Sequence, residues 1–94
     1  MPYMYILFCS DGTFYTGSTW DMEKRLSEHN SGEGANYTKE RRPLNLVYYK
    51  EYSRIEDAFH REKQVQNWSH AKKKALIDGD LEKLKQKAKK SFKK

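Results

Sequence analysis

Residues 15–30 read Tyr-Thr-Gly-Ser-Thr-Trp-Asp-Met-Glu-Lys-Arg-Leu-Ser-Glu-His-Asn and contain a change from strand to helix. The aromatic and β-branched residues at the start of this stretch continue a strand from Phe14 to Ser18. Asp21 is a residue type that favours the N-cap of a helix, and the apolar Met22 and Leu26 follow at helical spacing. The stretch therefore predicts a strand followed directly by a helix that runs to about its last residue.

Arg25 and His29 lie four residues apart in this predicted helix. Because residues at i and i+4 share a helix face, a fixed cation and a titratable imidazole would project together near the end of the preceding strand. This pairing suits the binding of a phosphate group. Taken singly, Arg25 would more often form a surface ion pair with Asp21. His29 alone would more often be a helix-end residue favoured by the helix dipole.

The segment before this stretch predicts a β-hairpin. Tyr3 to Cys9 is aromatic and aliphatic, as is typical of a buried strand, and Ser10 to Thr13 carries a tight-turn signal. A two-residue turn would place Tyr5 and Tyr15 on opposite faces of the hairpin, because successive side chains alternate. A three-residue turn or a bulge would place both tyrosines on one face. If both serve one site, the loop is predicted to be odd.

The remainder of the chain predicts one more strand and further helices. The predicted elements are a loop at 31–36, a strand at 44–52, a helix at 53–67, a helix from 69 or 70 to 79, and a helical stretch at 81–90. Ser53 and Glu56 have the spacing of a capping box, which would open the first of these helices. The order β-β-α-β-α-α predicts a small α+β domain at residues 1–80, with helices flanking a three-stranded antiparallel sheet. A Lys-rich helix or tail would follow at 81–94.

Glu62 breaks the pattern of the helix predicted at 53–67. The apolar positions of that helix are Ile55, Ala58, Phe59 and Val65. Glu62 lies near the centre of the stripe that they form. An ionised carboxylate that faces a core costs several kcal/mol unless it is paired or bound to a metal. Two explanations stay open: a functional carboxylate, or a structural ion pair at the edge of the stripe with Arg25 or another base.

The composition bounds the protein to one small domain of 94 residues. Its net charge of +6 is concentrated at the C-terminus, where residues 83–94 contain seven Lys and no acid. Residues 1–82 hold 12 basic and 13 acidic residues, so the predicted domain itself is nearly neutral. The tail is either a source of salt-sensitive affinity for nucleic acid or a solvated end that aids solubility.

Several classes of protein are disfavoured by the sequence. A bilayer-spanning helix needs about 20 apolar residues, far more than the longest apolar run, Tyr3 to Cys9. The lone Cys9 excludes an internal disulfide framework and fits a reducing compartment, so we expect a cytoplasmic protein with no membrane partner. No Gly-rich phosphate loop is present, which disfavours an NTPase. The cysteine and the histidines lack the close spacing of a structural zinc site.

Taken together, three motifs of the chain resemble those of the GIY-YIG nuclease superfamily. Tyr3-Met4-Tyr5 stands in the place of Gly-Ile-Tyr, and Tyr15-Thr16-Gly17 in the place of Tyr-Ile-Gly. Arg25 through Gly32 matches an Arg-x-x-x-His-Asn-Ser-Gly run found in the small stand-alone bacterial members, which consist of this domain alone. The first residue of the first motif and the middle residue of the second depart from the family pattern. The resemblance covers nearly the whole folded chain.

This resemblance implies an endonuclease that hydrolyses a nucleic-acid phosphodiester with the help of a divalent metal. It implies that Tyr5 is the candidate general base and that Arg25 clamps the phosphate, a task that suits its planar fork. His29 would support proton transfer, and Tyr15 would orient water or phosphate. Glu62 would hold one Mg²⁺ or Mn²⁺, and a single carboxylate implies weak metal binding.

The expected partner is a nucleic acid, DNA rather than RNA, with no small-molecule cofactor. Charge alone suggests that Lys39, Arg41 and Arg42 hold the flanking backbone of such a substrate, as could the Lys-rich tail. Two alternatives stay open. One is a catalytically degenerate module that binds nucleic acid without cutting it, and the other is a protein-interaction domain on the same fold.

Overall fold

The structure, a computed structural model, describes residues 1–79 of the chain. Three strands and four helices lie within this range. Their bounds are β1 Tyr3–Phe8, β2 Phe14–Thr19, α1 Met22–Ser31, α2 Asn36–Lys39, β3 Asn45–Glu51, α3 Ile55–Gln66 and α4 at 70–79. The helical stretch predicted at 81–90 and the Lys-rich tail lie outside the described residues.

The three strands form one antiparallel sheet in the order β2-β1-β3. β1 is the central strand, and its residues from Met4 to Leu7 are all buried. A strand whose consecutive side chains are all buried must be covered on both faces of its sheet. The predicted α+β class, with helices flanking a three-stranded antiparallel sheet, is confirmed.

Alternate residues of β1 supply two separate clusters, one on each face of the sheet. The cluster that α3 and α4 cover consists of Met4, Ile6, Tyr48, Ala58, Val65 and Ile77. The cluster on the opposite face consists of Tyr5, Leu7, Cys9 and Leu44, with Tyr15, Met22, Leu26 and Leu46 packed against it. The face that carries both motif tyrosines is therefore the face that α1 covers.

The hairpin between β1 and β2 has the odd loop that places both tyrosines together. Tyr5 lies opposite Gly17 and Leu7 opposite Tyr15, so Tyr5 and Tyr15 share a face. The loop closes where the Cys9 N–H donates to the Thr13 carbonyl at 2.8 Å, with residues 10–12 between them. Gly12 ends this loop with a φ of 86°, a left-handed conformation that glycine adopts without a steric penalty. The predicted odd loop is confirmed.

α1 begins and ends at residues that the sequence marks. Asp21 is the N-cap, and its Oδ1 accepts the Lys24 N–H at 3.1 Å. Gly32 is the C-cap with a φ of 90°, and its N–H donates to the carbonyls of the last turn. Because both ends are fixed by local chemistry, the sequence alone places this helix within one residue.

The predicted capping box at the start of α3 is wrong. The N-cap is Arg54, one residue after Ser53, and no side chain makes a capping hydrogen bond there. The backbone just before it continues the pairing of β3 with β1 by one residue, because the Tyr52 N–H donates to the Pro2 carbonyl at 2.8 Å. This bond keeps the chain extended beyond β3 and delays the first helical turn.

Two further differences concern the helices. The loop predicted at 31–36 leads into α2, a four-residue helix that is too short to show an apolar period. Phe59 is 51% exposed, so the buried face of α3 consists of Ala58, Glu62 and Val65.

α4 starts where it was predicted, because the Ser69 Oγ accepts the Lys72 N–H at 3.2 Å as an N-cap. It is helical up to residue 79, the last residue that the structure describes. No helix in residues 1–79 is long and apolar enough to cross a membrane.

Candidate active site

Four of the five predicted catalytic and metal-binding residues lie on the face of the sheet that α1 covers. Tyr5 and Tyr15 project from neighbouring strands, and Arg25 and His29 come down onto them from successive turns of α1. Both helical residues touch Tyr5: Arg25 Nε lies 3.4 Å and His29 Nε2 lies 2.9 Å from its hydroxyl oxygen. Because of their i, i+4 spacing, the guanidinium of Arg25 and the imidazole of His29 both contact the phenol of Tyr5.

His29 is fully buried and is hydrogen-bonded through both ring nitrogens. Nε2 meets the Tyr5 hydroxyl, and Nδ1 lies 2.8 Å from the Oγ1 of Thr38, which is itself fully buried. The Thr38 hydroxyl donates to the Ala35 carbonyl at 2.9 Å. A continuous chain of hydrogen bonds therefore runs from the tyrosine through the imidazole to the backbone before α2.

Burial keeps both members of the tyrosine–imidazole pair neutral. It raises the pKa of Tyr5 to about 12, although the hydrogen bond from Arg25 opposes this shift. Burial lowers the pKa of His29 to about 4, and the nearby charge of Arg25 lowers it further in the same direction. At neutral pH the resting site therefore holds a phenol and an imidazole, not a phenolate and an imidazolium.

Arg25 supplies the fixed positive charge of the site. Its Nη1 donates to Glu28 Oε1 at 3.0 Å, and its side chain is 29% exposed. The surface ion pair with Asp21 is not formed by Arg25 in the described structure, because the Asp21 carboxylate caps α1. The guanidinium thus reaches both the buried Tyr5 oxygen and the solvent.

Tyr15 packs between rings on the same face. Its ring meets the edge of the His29 ring at a centroid distance of 5.4 Å and stacks on Tyr37 of α2 at 5.9 Å. Burial raises the pKa of its phenol, and the charge of Arg25 opposes that shift. Tyr15 therefore covers one side of the His29 ring and packs α2 against the sheet.

Two glycines permit the close packing around the tyrosine–imidazole pair. A Cβ on Gly17, directly across from Tyr5 in the sheet, would lie 2.5 Å from the Tyr5 hydroxyl oxygen. A Cβ on Gly34, in the loop before α2, would collide with His29 Nδ1 and approach the His29 Cα to 3.0 Å. Any larger residue at either position would displace one partner of the pair.

Glu62 lies on α3 beside β2, apart from the α1 side of the site. It is only 9% exposed, and its Oε1 accepts a hydrogen bond from Ser18 Oγ at 2.7 Å. The nearest base to its Oε2 is Lys63, whose Nζ is 3.8 Å away. The alternative of an ion pair with Arg25 is not formed in residues 1–79. Its charge is nevertheless felt by Tyr5 and Tyr15, where it contributes to the raised pKa values, for which burial is the main cause.

The donor set at Glu62 limits the metal that could bind there. Within residues 1–79, no group of three or more His, Cys, Asp or Glu side chains is arranged to hold a metal ion. Glu62 offers one carboxylate oxygen, Oε2, whose cationic neighbour Lys63 Nζ is 3.8 Å away, beside a serine hydroxyl. This set fits a hard divalent cation that takes one or two protein oxygens and fills its other positions with water and phosphate.

An open surface groove of about 410 Å³ lies next to Arg25. Ser18, the partner of Glu62, is also part of its wall, so the groove links the two halves of the site. Its walls are Ser18, Thr19, Trp20, Asp21, Lys24, Arg25, Glu28 and Ile55. The groove therefore borders Arg25 directly, and it borders Glu62 only through Ser18.

The three basic residues after α1 differ in their surroundings. Lys39 is exposed at the end of α2. Arg41 Nε donates to Asp11 Oδ2 at 2.9 Å, and its guanidinium lies 3.9 Å above the Tyr37 ring. Arg42 Nε donates to the Lys39 carbonyl at 3.0 Å. Arg41 and Arg42 therefore hold loops together, which does not prevent their exposed edges from meeting a phosphate.

Sequence reasoning missed Thr38, Gly34 and Ser18, which complete the site. Thr38 and Gly34 lie in and before α2, where no periodic signal marks a helix. Ser18 was read only as a strand residue, although its hydroxyl holds Glu62 across 44 positions of sequence. None of their contacts follows a helix or strand period, because Gly34 lies 5, Thr38 9 and Ser18 44 positions from its partner, so no periodic pattern could have revealed them.

Comparison with known proteins identifies the family. A protein-family model described as the GIY-YIG catalytic domain matches residues 1–75. A UPF0213 protein of Syntrophus aciditrophicus is 48% identical over 83 residues, which cover 87% of this chain and 95% of that protein. A UPF0213 protein of Staphylococcus saprophyticus is 47% identical over 75 residues, covering 80% of this chain and 92% of that protein.

Two solved structures share the fold. The solution structure of a UPF0213 protein from Bacillus halodurans matches with a TM-score of 0.54 and 42% identity, over 83% of this chain and 84% of that one. A solution structure of an E. faecalis protein matches with a TM-score of 0.56 and 33% identity, over 82% of each chain. The suspected resemblance is confirmed: the chain belongs to the GIY-YIG family and is similar to its small UPF0213 proteins.

Proposed function

We propose that this protein is a nuclease that hydrolyses phosphodiester bonds in nucleic acid, DNA rather than RNA, with a divalent metal ion. The GIY-YIG domain points to the nuclease superfamily and to a nucleic-acid substrate. The observation that carries the proposal for this chain is the contact of the Tyr5 phenol with both Arg25 and His29. A phenol that touches a fixed cation and a neutral imidazole has what it needs to exchange a proton beside a phosphate.

The proton transfer that this geometry supports begins at the attacking water. Its proton moves to the Tyr5 oxygen while the tyrosine proton moves to His29 Nε2, so the phenol never carries a full negative charge. The water oxygen forms its bond to phosphorus, and the bond from phosphorus to the leaving oxygen breaks. His29 holds the proton as an imidazolium, and solvent supplies the proton that the leaving oxygen needs.

Arg25 and Glu62 serve the phosphate. The partly exposed guanidinium of Arg25 binds the phosphate oxygens and stabilises the charge that they gain in the transition state. GIY-YIG nucleases are generally dependent on divalent metals, and Glu62 would hold Mg²⁺ or Mn²⁺, weakly, since it is a single carboxylate. When bound, such an ion would supply Lewis-acid stabilisation of the phosphate and the leaving group. Tyr15 orients the bound water or phosphate.

Binding of the flanking backbone falls to the basic residues outside the site. Lys39 and the exposed edges of Arg41 and Arg42 would contact phosphates on one side of it. The seven lysines of residues 83–94 would add affinity that depends on salt. This division assigns the chemistry to a domain of residues 1–80 and non-specific attraction to the tail at 81–94.

A module that binds nucleic acid without cutting it is the second candidate. It is favoured by the pKa of Tyr5, which burial raises to about 12 and so makes the tyrosine a poor base by itself. The two candidates differ in a measurable way, because binding needs neither the Tyr5 hydroxyl nor the Glu62 carboxylate.

The deciding experiment is a cleavage assay on linear, branched and single-stranded DNA and RNA, with Mg²⁺, Mn²⁺ or EDTA. Tyr5→Phe removes only the hydroxyl, and Glu62→Gln keeps an acceptor for Ser18 while removing the charge. We expect metal-dependent cleavage that Tyr5→Phe lowers by at least about 100-fold, the usual contribution of general acid–base catalysis. Glu62→Gln should lower it as well, because loss of the negative charge weakens the metal site. Glu56→Gln, at an exposed carboxylate of the same helix, is the matched control and should cleave normally.

The other results of that assay are equally informative. Salt-sensitive binding without cleavage, unchanged in Glu62→Gln, would replace the nuclease by the binding module. A protein that neither cuts nor binds nucleic acid would contradict both candidates. The remaining alternative would then be a protein-interaction domain on the same fold.

A further inference from the structure

The imidazole of His29 has one buried hydrogen-bond partner at each nitrogen, and its function depends on which nitrogen carries the proton. Nε2 lies 2.9 Å from the Tyr5 hydroxyl, and Nδ1 lies 2.8 Å from Thr38 Oγ1. A neutral imidazole donates from one nitrogen and accepts at the other. Both partners are hydroxyls, which can do either. The tautomer is therefore set by the other hydrogen-bond partners of these two hydroxyls.

On the Nδ1 side, the Thr38 hydroxyl already has an acceptor for its only proton. Its oxygen lies 2.9 Å from the Ala35 carbonyl, to which it donates. A threonine hydroxyl that donates to the carbonyl three residues earlier is a common arrangement in a short helix. With that proton committed, the oxygen of Thr38 faces His29 Nδ1 as an acceptor. Nδ1 must then carry a hydrogen.

The Nε2 side favours the same tautomer. Arg25 Nε donates toward the Tyr5 oxygen at 3.4 Å, so that side of the phenol is an acceptor. Tyr5 is 1% exposed, and among residues 1–79 its own proton has His29 Nε2 as the acceptor within hydrogen-bond distance. If Nε2 carried a hydrogen, the phenol proton would be buried without a partner, which is disfavoured.

The opposite tautomer would require the Thr38 hydroxyl to turn from the Ala35 carbonyl and donate to His29 Nδ1. The Ala35 carbonyl does not prevent this. That oxygen also accepts the backbone N–H groups of Thr38 at 3.1 Å and Lys39 at 3.0 Å, so it could do without the hydroxyl. The preference therefore comes from the two ends acting together: the hydroxyl of Thr38 accepts at Nδ1, and the phenol of Tyr5 needs an acceptor at Nε2.

We propose that Thr38 is a positioning residue that holds His29 in the Nδ1–H tautomer and so keeps Nε2 open to receive the Tyr5 proton. The catalytic part of this inference rests on the proposed function. The tautomer itself does not. The opposite tautomer would present an N–H to the Tyr5 oxygen, and an imidazole in that state cannot take the proton that the reaction must remove.

The fold supports Thr38 in this position. Gly34 brings the loop before α2 against His29, because a Cβ there would collide with Nδ1. Tyr37, next to Thr38, stacks on Tyr15 and fixes α2 to the sheet. The Thr38 side chain is fully buried, so water does not compete for His29 Nδ1.

The test is an NMR measurement of the His29 ring nitrogens in the full chain at neutral pH, without metal or substrate. The two nitrogens of a neutral imidazole have well-separated ¹⁵N chemical shifts, so the tautomer is read directly. Thr38→Val removes the hydroxyl at nearly constant shape, and Thr38→Ser restores it. Thr16→Val is the matched control, since the Thr16 hydroxyl is buried on the opposite face of the sheet and has no hydrogen-bond partner among the described residues.

We expect a protonated Nδ1 in the wild type, in Thr38→Ser and in Thr16→Val, and a mixed or reversed tautomer in Thr38→Val. In cleavage assays Thr38→Val should lower kcat by about tenfold or more without changing KM, because Thr38 does not touch substrate. Thr38→Ser and Thr16→Val should both keep the wild-type rate. An unfolded fraction would also lower the apparent kcat without changing KM, so the ¹⁵N spectrum of the folded Thr38→Val protein is what distinguishes a positioning role from a loss of folded protein.

Two results would overturn the inference: a wild type whose His29 carries its hydrogen on Nε2, or a Thr38→Val variant that keeps the Nδ1–H tautomer. The wild-type spectrum alone decides the first, so the test survives if Thr38→Val fails to fold. A wild type with the expected spectrum that cleaves no substrate would instead contradict the proposed function and support the tautomer assignment.

Discussion

His29 shows at the scale of a single residue how burial sets chemistry. A histidine in water titrates near pH 6.5, but here the ring is fully buried between Tyr5, Tyr15 and Thr38. Taking an imidazolium out of water is costly, so the neutral ring is favoured and its pKa falls to about 4. The residue is thereby kept as a proton acceptor throughout the neutral range.

This shift predicts a loss of stability in acid. Because the folded-state pKa of His29 is lowered, its contribution is complete above pH 6.5 and is lost as the pH falls toward 4. The free energy of unfolding should fall by up to about 3 kcal/mol over this window, the value of the full shift. Urea unfolding of the wild type and of His29→Gln at several pH values measures it. Equal slopes in the two proteins between pH 6.5 and 5 would show that the pKa is not lowered.

At the scale of elements, the site depends on how the hairpin and α2 are joined. The odd hairpin loop turns Tyr5 and Tyr15 to the same face, and α2 brings Thr38 to His29. Arg41 ties these elements together, because it donates to Asp11 in the hairpin loop and to the Tyr37 carbonyl at 2.8 Å in α2. Arg41 thus has an observed structural role, and its role in binding nucleic acid stays a prediction.

Replacement of Arg41 should therefore affect folding, whereas replacement of Lys39 should not. Arg41→Ala removes two hydrogen bonds and the contact with the Tyr37 ring, and we expect its unfolding midpoint to fall by about 5 °C. Lys39→Ala is the control, an exposed cation two residues earlier, and should unfold like the wild type. Thermal unfolding followed by circular dichroism compares them. Identical midpoints would mean that Arg41 is free to serve substrate alone.

At the scale of the whole molecule, the net positive charge lies in a different part of the chain from the proposed catalytic residues. Residues 1–82 are nearly neutral, whereas residues 83–94 carry seven lysines and no acid. The proposed phosphate site relies on one guanidinium, Arg25, which is already shared with Glu28. General attraction to a polyanion must then come mainly from outside the site. In the structure Cys9 is buried and forms no disulfide. The cytoplasmic location inferred from this single cysteine stays a prediction.

Exchange of the seven tail lysines for glutamine tests this division. The plot of log affinity against log salt should become shallower by about 0.9 for each tail lysine that contacts a duplex phosphate. The value of kcat at saturating substrate should stay unchanged, because the tail does not enter the proposed chemistry. Exchange of the same lysines for arginine keeps the charge and is the control. A fall in kcat in the glutamine protein alone would place the tail in the reaction.

Much of the fold could be predicted because its signals are local. The tight turn of the hairpin, the Asp21 N-cap and the i, i+4 pair all involve residues a few positions apart. The capping box at Ser53 was also a local signal, and it was wrong because the bond between Tyr52 and Pro2 delays the start of α3. Local patterns decide an element only where no contact from elsewhere competes with them.

The sequence by itself determined which side chains are available: two tyrosines on neighbouring strands, a cation and an imidazole on one helix face, and one carboxylate on an apolar stripe. Only the tertiary structure decided what each of them does. It joined Thr38 to His29, Ser18 to Glu62 and Gly17 to the Tyr5 ring, in pairs that are 9, 44 and 12 positions apart. Hydrogen bonding and close packing act over a few ångströms of space regardless of separation along the chain. The tautomer, the neutral pair and the held carboxylate therefore exist only once the chain has folded.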